Sequence, residues 1–172
     1  MDLIKIPEKR VVVLIGADGK TKKEIEKKCR VKLRVEKDGE VQISGEEAEV
    51  YFAHGIVQAI GRGFEPRQAL KLLQEDYQFY LINLKEFTKS DNALQRIKGR
   101  VIGEDGKIKE EIEQATDSYL SIYGNTIGII SKIDSIEYAK EAVLKLVGGA
   151  KHSSVLNYLA GVKRRLMEER LR

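Results

Sequence analysis

Gly16-Ala17-Asp18-Gly19 and Gly103-Glu104-Asp105-Gly106 are each followed at once by a lysine, Lys20 and Lys107. Glycine has no Cβ, so a bracket of two glycines lets the backbone turn tightly and lets a ligand approach it closely. If a helix starts at the lysine, its first N–H groups and the positive end of its dipole face the loop. Such a loop offers a cradle for a phosphate, with an ammonium group beside it. Residues that could make or break bonds are scarce by comparison. His54 and His152 lack a neighbouring nucleophile and carboxylate, and His54 reads as an ordinary helix residue. Glu24, Glu26, Glu111 and Glu113 recur at equal spacing, and their lysine neighbours make them read as solvated helix faces. One cysteine, Cys29, excludes an internal disulfide, and one Cys with two His is too few ligands for structural zinc. Gly19-Lys20-Thr21 is preceded five residues earlier by Leu14 rather than glycine, so neither the phosphate-loop spacing nor a dinucleotide-type glycine spacing is present. These residues predict a binding protein rather than an enzyme, with no cofactor and no metal.

The loops belong to a longer internal repeat. Gly16 and Gly103 are 87 residues apart, and nine of the twelve residues from Ile15 to Glu26 recur at that offset. The offset also matches Leu33 with Leu120, Val35 with Ile122, Ile43 with Ile130, Tyr51 with Tyr138 and Gly61 with Gly148, without a gap. A repeat of this length predicts two domains of one fold.

Each copy must hold its loop between two helices. Leu3–Ile6 and 79–84 read as short strands, and 8–15 and 92–102 as helical segments. Helices over 20–29 and 107–116 would turn Ile25 and Ile112 inward. Val31-Lys32-Leu33-Arg34-Val35 alternates apolar and basic residues, as a strand with one wet face does, and 37–39 turns it into a second strand. In the second copy 118–123 turns at Gly124-Asn125 into 126–131. Closing helices over 46–60 and 134–147 end at Gly61 and Gly148, which read as left-handed caps. The expected fold is α+β: two three-stranded antiparallel sheets, each with three helices on one face. The expected domains are 1–62 and 78–150, joined by a linker helix in 63–77 that carries Ala69, Leu70 and Leu73. A basic helix over 151–172 follows, capped by Ser153 or Ser154, whose stripe Val155, Leu159, Val162 and Leu166 packs on the core.

Charge is uneven. The chain carries a net +4, and residues 1–45 and 151–172 each carry +4 while 76–131 carry −2. Basic segments favour a polyanion. No apolar run of membrane-spanning length and no secretory leader are visible, so a soluble cytoplasmic protein is expected.

An Ile-Gly-x-x-Gly loop before a helix, then two strands and a helix, stated twice, resembles the KH domain. That family's Gly-x-x-Gly loop clamps single-stranded nucleic acid, and the order of elements is similar to its eukaryotic type (βααββα). The segments "GRGFEPRQALKLLQEDYQFYLINLKEF" (61–87) and "GGAKHSSVLNYL" (148–159) further resemble the archaeal and eukaryotic small-subunit ribosome-assembly family called partner of Nob. The resemblance covers essentially the whole chain, and the short N-terminus is similar to the archaeal members. It implies single-stranded ribosomal RNA as ligand, near the 3′ end of the small-subunit rRNA or its precursor. It also implies the Nob endonuclease and the pre-ribosomal small subunit as partners.

The RNA site expected on this basis comprises Gly16, Ala17, Asp18, Gly19, Lys20, Lys23 and Arg34 in the first copy. In the second it comprises Arg96, Arg100, Gly103, Glu104, Asp105, Gly106 and Lys107. The carboxylates depart from the usual basic loop: Asp18 and Asp105, with Glu104 added in the second copy, repel phosphate. Charge makes the first copy the stronger binder, while Lys98 and Lys109, with Arg96, Arg100 and Lys107, supply positive charge around the second loop. Asp18 and Asp105 fit either as helix caps or as restraints on RNA affinity. A KH-fold protein scaffold with weak RNA binding is the alternative function.

Overall fold

Pro7 has an extended backbone and Glu8 opens the first helix beside it, where a carboxylate suits the helix dipole. The computed structural model describes residues 1–172, in two compact units, Met1–Phe79 and Tyr80–Arg172. The first holds β1 (Asp2–Lys5), α1 (Glu8–Ile15), a 3-10 turn (Ala17–Gly19), α2 (Lys20–Cys29), β2 (Lys32–Val35), β3 (Glu40–Ser44) and α3 (Glu47–Gly61). It closes with α4 (Pro66–Ala69) and a 3-10 stretch, Leu70–Leu73. The second copy begins with β4 (Tyr77–Asn83) and continues through α5 (Asp91–Ile102), a 3-10 turn (Glu104–Gly106), α6 (Lys107–Thr116), β5 (Ser118–Tyr123), β6 (Thr126–Lys132), α7 (Ile136–Val147) and α8 (His152–Arg170). The sheets are three-stranded, in the orders β1-β3-β2 and β4-β6-β5. No helix is long and apolar enough to cross a membrane.

The alternation expected along β2 is present: Leu33 is buried with Val41 and Ile43, while Lys32 and Arg34 turn to the open face. α3 packs on β1, β3, α1 and α2, and in the second copy α7 packs on β6, α5 and α6. His54 of α3 is bonded through Nδ1 to Asp2, which ties α3 to β1. Val155, Leu159, Val162 and Leu166 are all buried, and they seat α8 against α6 and α7.

The repeat is not gap-free in space. Leu33 pairs with Ile43, whereas Leu120 pairs with Ile129, not Ile130. A two-residue turn joins Tyr123 to Thr126, but Val35 reaches Val41 across a longer connection with Gly39 at φ 93°. Past the hairpin the true offset is therefore one residue shorter. Val50, Ala53, Ile56, Val57, Ile60 and Gly61 of α3 correspond in burial to Ile136, Ala139, Ala142, Val143, Leu146 and Val147 of α7. A one-residue slip turns every strand side chain to the opposite face, so the likeness of Ile43 to Ile130 was misleading.

The helix-end glycines also differ from expectation. Gly61 remains helical and Gly148 has φ −76°; the left-handed residues are Gly63 and Gly149. Gly61 is required for another reason, since a Cβ there would lie 2.5 Å from Ile6 Cγ2. α8 starts at His152 behind Lys151 with no side-chain cap, so neither Ser153 nor Ser154 caps it. In the segment after Pro66 the buried residues are Ala69 and Leu72, not Leu70 or Leu73, because the backbone tightens from α-helix to 3-10.

Candidate nucleic-acid interface

Both loops adopt one conformation. Gly16 and Gly103 have φ 74° and ψ 175°, Asp18 and Asp105 have φ 55° and 53°, and Gly19 and Gly106 have φ 73° and 74°. The N–H of the second glycine donates to the carbonyl of the first at 3.2 Å in each copy. α2 and α6 then begin directly, and neither has a side-chain cap at its start. The N–H groups of Lys20 and Lys107 themselves turn back to the carbonyls of Ala17 and Glu104, and the positive end of each helix dipole faces the loop.

The four glycines serve different ends. A Cβ on Gly16 would lie 2.3 Å from Thr21 Oγ1, and one on Gly103 would lie 2.4 Å from Ile108 Cγ1. These two are buttressed from behind by the following helix. A Cβ on Gly19 would meet only Lys23 Cε at 3.8 Å, and above Gly106 there is open space within 4 Å. That open side is where a sugar-phosphate backbone can approach.

Asp18 and Asp105 do not cap. The N-cap positions belong to Gly19 and Gly106, and no side chain bonds the helix start. Their backbones are left-handed, a region that Asp tolerates better than most residues. Ala17, Asp18, Glu104, Asp105, Lys20, Lys23, Arg96 and Lys107 are exposed around the loops. Two expected residues are placed elsewhere. Arg34 lies on the open face of its sheet, where its Nε donates to Glu36 at 2.8 Å, because β2 alternates and Leu33 takes the inner side. Arg100 Nη1 donates to the Leu146 carbonyl at 3.2 Å, at the end of α7. Arg10 plays a comparable part in the first unit, donating to the carbonyls of Ile60 and Phe64 at 2.8 Å each.

Glu26 and Glu113 are not merely solvated. Glu26 Oε1 accepts the N–H of Leu33 at 2.9 Å, and Glu113 Oε2 accepts the N–H of Leu120 at 3.1 Å. Each carboxylate thus bridges the loop helix to the edge strand beside it. The signal was present in the sequence as an 87-residue recurrence of Glu and Leu together, but spacing alone could not show a side chain folding back on a strand.

Comparison with known proteins agrees with this architecture. Residues 2–59 match the KH domain family, and residues 78–164 match the eukaryotic-type KH domain (type I) of the PNO1 second-domain kind. A KH domain-containing protein of Methanocaldococcus jannaschii is 41% identical over 99% of this chain and 77% of its own length. In the crystal structure of the a/eIF2alpha–aDim2p–rRNA complex from Pyrococcus horikoshii, one chain is 40% identical, with a TM-score of 0.88 over 95% of this chain and 94% of that one.

The chain belongs to the Dim2/PNO1 family of KH-domain proteins.

Within this family, the pre-rRNA-processing protein PNO1 of Chaetomium thermophilum is 34% identical over 66% of this chain. The chain spans 45% of that relative's length. For this Dim2/PNO1 relative the KH loops are therefore the natural candidates for an RNA-binding surface, and both are intact in backbone conformation.

Proposed function

We propose that this protein binds single-stranded ribosomal RNA near the 3′ end of the small-subunit rRNA or its precursor and serves small-subunit assembly. The observation that carries the reading is the twofold occurrence of one loop conformation, each opening onto an uncapped helix start with a lysine beside it. The names of the relatives support it: PNO1 is a pre-rRNA-processing protein, and aDim2p occurs in a complex with rRNA. The RNA-binding residues in this proposal are Gly16, Ala17, Asp18, Gly19, Lys20 and Lys23 in the first unit, and Arg96, Gly103, Glu104, Asp105, Gly106 and Lys107 in the second. The Nob endonuclease is the proposed protein partner, the cytoplasm the proposed location, and binding rather than catalysis the proposed role.

Titration of the small-subunit 3′-end RNA at two salt concentrations tests the reading. Affinity falls as salt rises if phosphates are held. Gly19→Asp with Gly106→Asp adds charge at the open side of both loops, at a left-handed backbone that Asp18 and Asp105 already adopt. This pair is expected to lower affinity at least about tenfold, about 1.4 kcal/mol, with the fold kept and the melting temperature lowered only by the strain of a side chain at a left-handed backbone. Unchanged binding would leave the loops without a role in RNA recognition. The acidic loops favour a second reading, a scaffold with little RNA affinity at any salt. Co-sedimentation with Nob checks the partnership separately.

A further inference from the structure

Arg100 stands in the last turn of α5, just ahead of Gly103, and it is held in two directions. Its side chain reaches the Leu146 carbonyl at the end of α7, 3.2 Å away. Its own carbonyl accepts the Nε2–H of His152, the first residue of α8, at 2.9 Å. Carbonyls in the last turn of a helix have no N–H ahead of them in that helix, so an outside donor there satisfies a group left over. The turn from α7 into α8 closes over the pair: Gly149 has φ 97°, and a Cβ on it would lie 3.5 Å from Arg100 Nη1. α8 then packs along α6, and near its end Arg170 Nη2 donates to Asp117 Oδ2 at 3.3 Å. Asp117 is the residue that closes α6. α8 is thus tied to the turn before the second glycine loop and to the far end of the helix after it.

The first unit starts its corresponding segment at the same place but without this bond. Past the hairpin the two copies stay 86 residues apart: Gly63 and Gly149 are both left-handed, and Phe64 N–H to Ala59 matches Ala150 N–H to Lys145. His152 then corresponds to Pro66 (152 − 86 = 66), and each is the first residue of its helix. A proline side chain has no donor, so the first unit cannot make the bond. α4 has only 4 residues where α8 has 19. The carbonyl matching Leu146 is that of Ile60, and the first unit reaches it with Arg10 instead. Before the hairpin the offset is 87, which puts Val13 at the place of Arg100 (100 − 87 = 13).

We infer that His152 is a positioning residue of the second glycine loop, and that it makes this loop's hold on RNA depend on α8 in a way that the first loop's does not. The last turn of α5 leads directly into Gly103, so a shift of that turn moves the loop with it. Asp105 in the loop is left-handed at φ 53°, and such a backbone persists only where its surroundings hold it. This inference rests on the RNA-binding reading and adds what controls the second site.

The full chain, titrated with the small-subunit 3′-end RNA at one fixed salt, tests it. His152→Ala is expected to lower affinity about threefold to fivefold, the weight of one ordinary hydrogen bond. His152→Gln, whose amide can donate to the Arg100 carbonyl, should recover most of the loss. The loss should persist when Gly19→Asp is also present and vanish when Gly106→Asp is, because only the second loop is served. Amide exchange reads the same effect without RNA. His152→Ala should speed exchange at Gly106 and Lys107, whose N–H groups donate to the Gly103 and Glu104 carbonyls, and leave Gly19 and Lys20 unchanged. An equal loss in both loop backgrounds, or faster exchange in both loops alike, would mean general destabilisation and overturns the inference. Unchanged affinity and exchange in His152→Ala overturn it too, as does a Gln variant as weak as Ala. If His152→Ala does not fold, His152→Leu fills the ring's space without a donor and gives the same comparison. If no form binds the RNA, the proposed function fails, and the exchange rates still decide whether His152 positions the loop.

Discussion

Asp18 and Asp105 stand at φ 55° and 53°, and no helix N–H is bonded by either side chain. Their recurrence is explained by backbone conformation rather than by capping. Asp18→Ala should therefore lower stability by about 1 kcal/mol, the left-handed cost for a residue with a plain Cβ. Asp18→Asn and Asp18→Gly should melt near the unaltered protein. Asp18→Asn also removes a charge beside the phosphate path, and RNA affinity should rise by up to about fivefold, equivalent to ~1 kcal/mol for one charge pair at contact in water. Weaker RNA binding by Asp18→Asn would mean that the carboxylate itself accepts a bond from the RNA. Cys29 is buried, and burial pushes its thiol up to about 11. The native thiol should resist alkylation at pH 8 and react on unfolding. An unfolded cysteine ionises first, from its ordinary value of 9.0, so stability from this group is intact below pH 9 and declines as pH rises through about 11. Chemical denaturation between pH 8 and 11, with Cys29→Ala as reference, measures the difference.

At the scale of elements, α3 and α7 solve one packing problem with different residues. Gly61 and Val147 hold equivalent places, yet Gly61 leaves room for Ile6, whose Cβ would be only 2.9 Å from an added Cβ. Gly61→Ala should cost about 1–3 kcal/mol, the usual effect of overpacking. Gly148→Ala should cost little, since its φ is −76° and its nearest new contact is the Leu144 carbonyl at 3.3 Å. Comparing the two melting temperatures checks both. A large loss at Gly148 with none at Gly61 would contradict this account of why the first glycine is needed.

Across the whole molecule, the proposed RNA role gives each of the two loops its own share of the salt dependence. The loops are not electrically alike. The second has Glu104 in addition to Asp105, and Arg100 is engaged with the end of α7. The first has Ala17 in place of that glutamate, with Lys20 and Lys23 exposed beside it. Gly19→Asp alone should therefore lower rRNA affinity and the slope against salt more than Gly106→Asp alone. Salt titrations of the two single variants decide the order, and the reverse result would show that charge near the loop is not what ranks the units.

The sequence by itself determined the repeated loop, the helix after it, the alternation in β2 and the buried stripe of α8, since each follows from local periodicity or from glycine's missing Cβ. It also carried the family resemblance, because the loop and its flanks are local signatures. Tertiary structure alone decided the one-residue slip after the hairpin, which is set by turn length and visible only in strand pairing. It alone gave Arg34 its partner Glu36 and Arg100 a helix-end carbonyl, because a long flexible side chain can reach several partners and only packing selects among them. It also revealed Glu26 and Glu113 at the strand edge. Sequence spacing places a carboxylate on a helix, but which backbone N–H lies beside it depends on where the sheet has been brought.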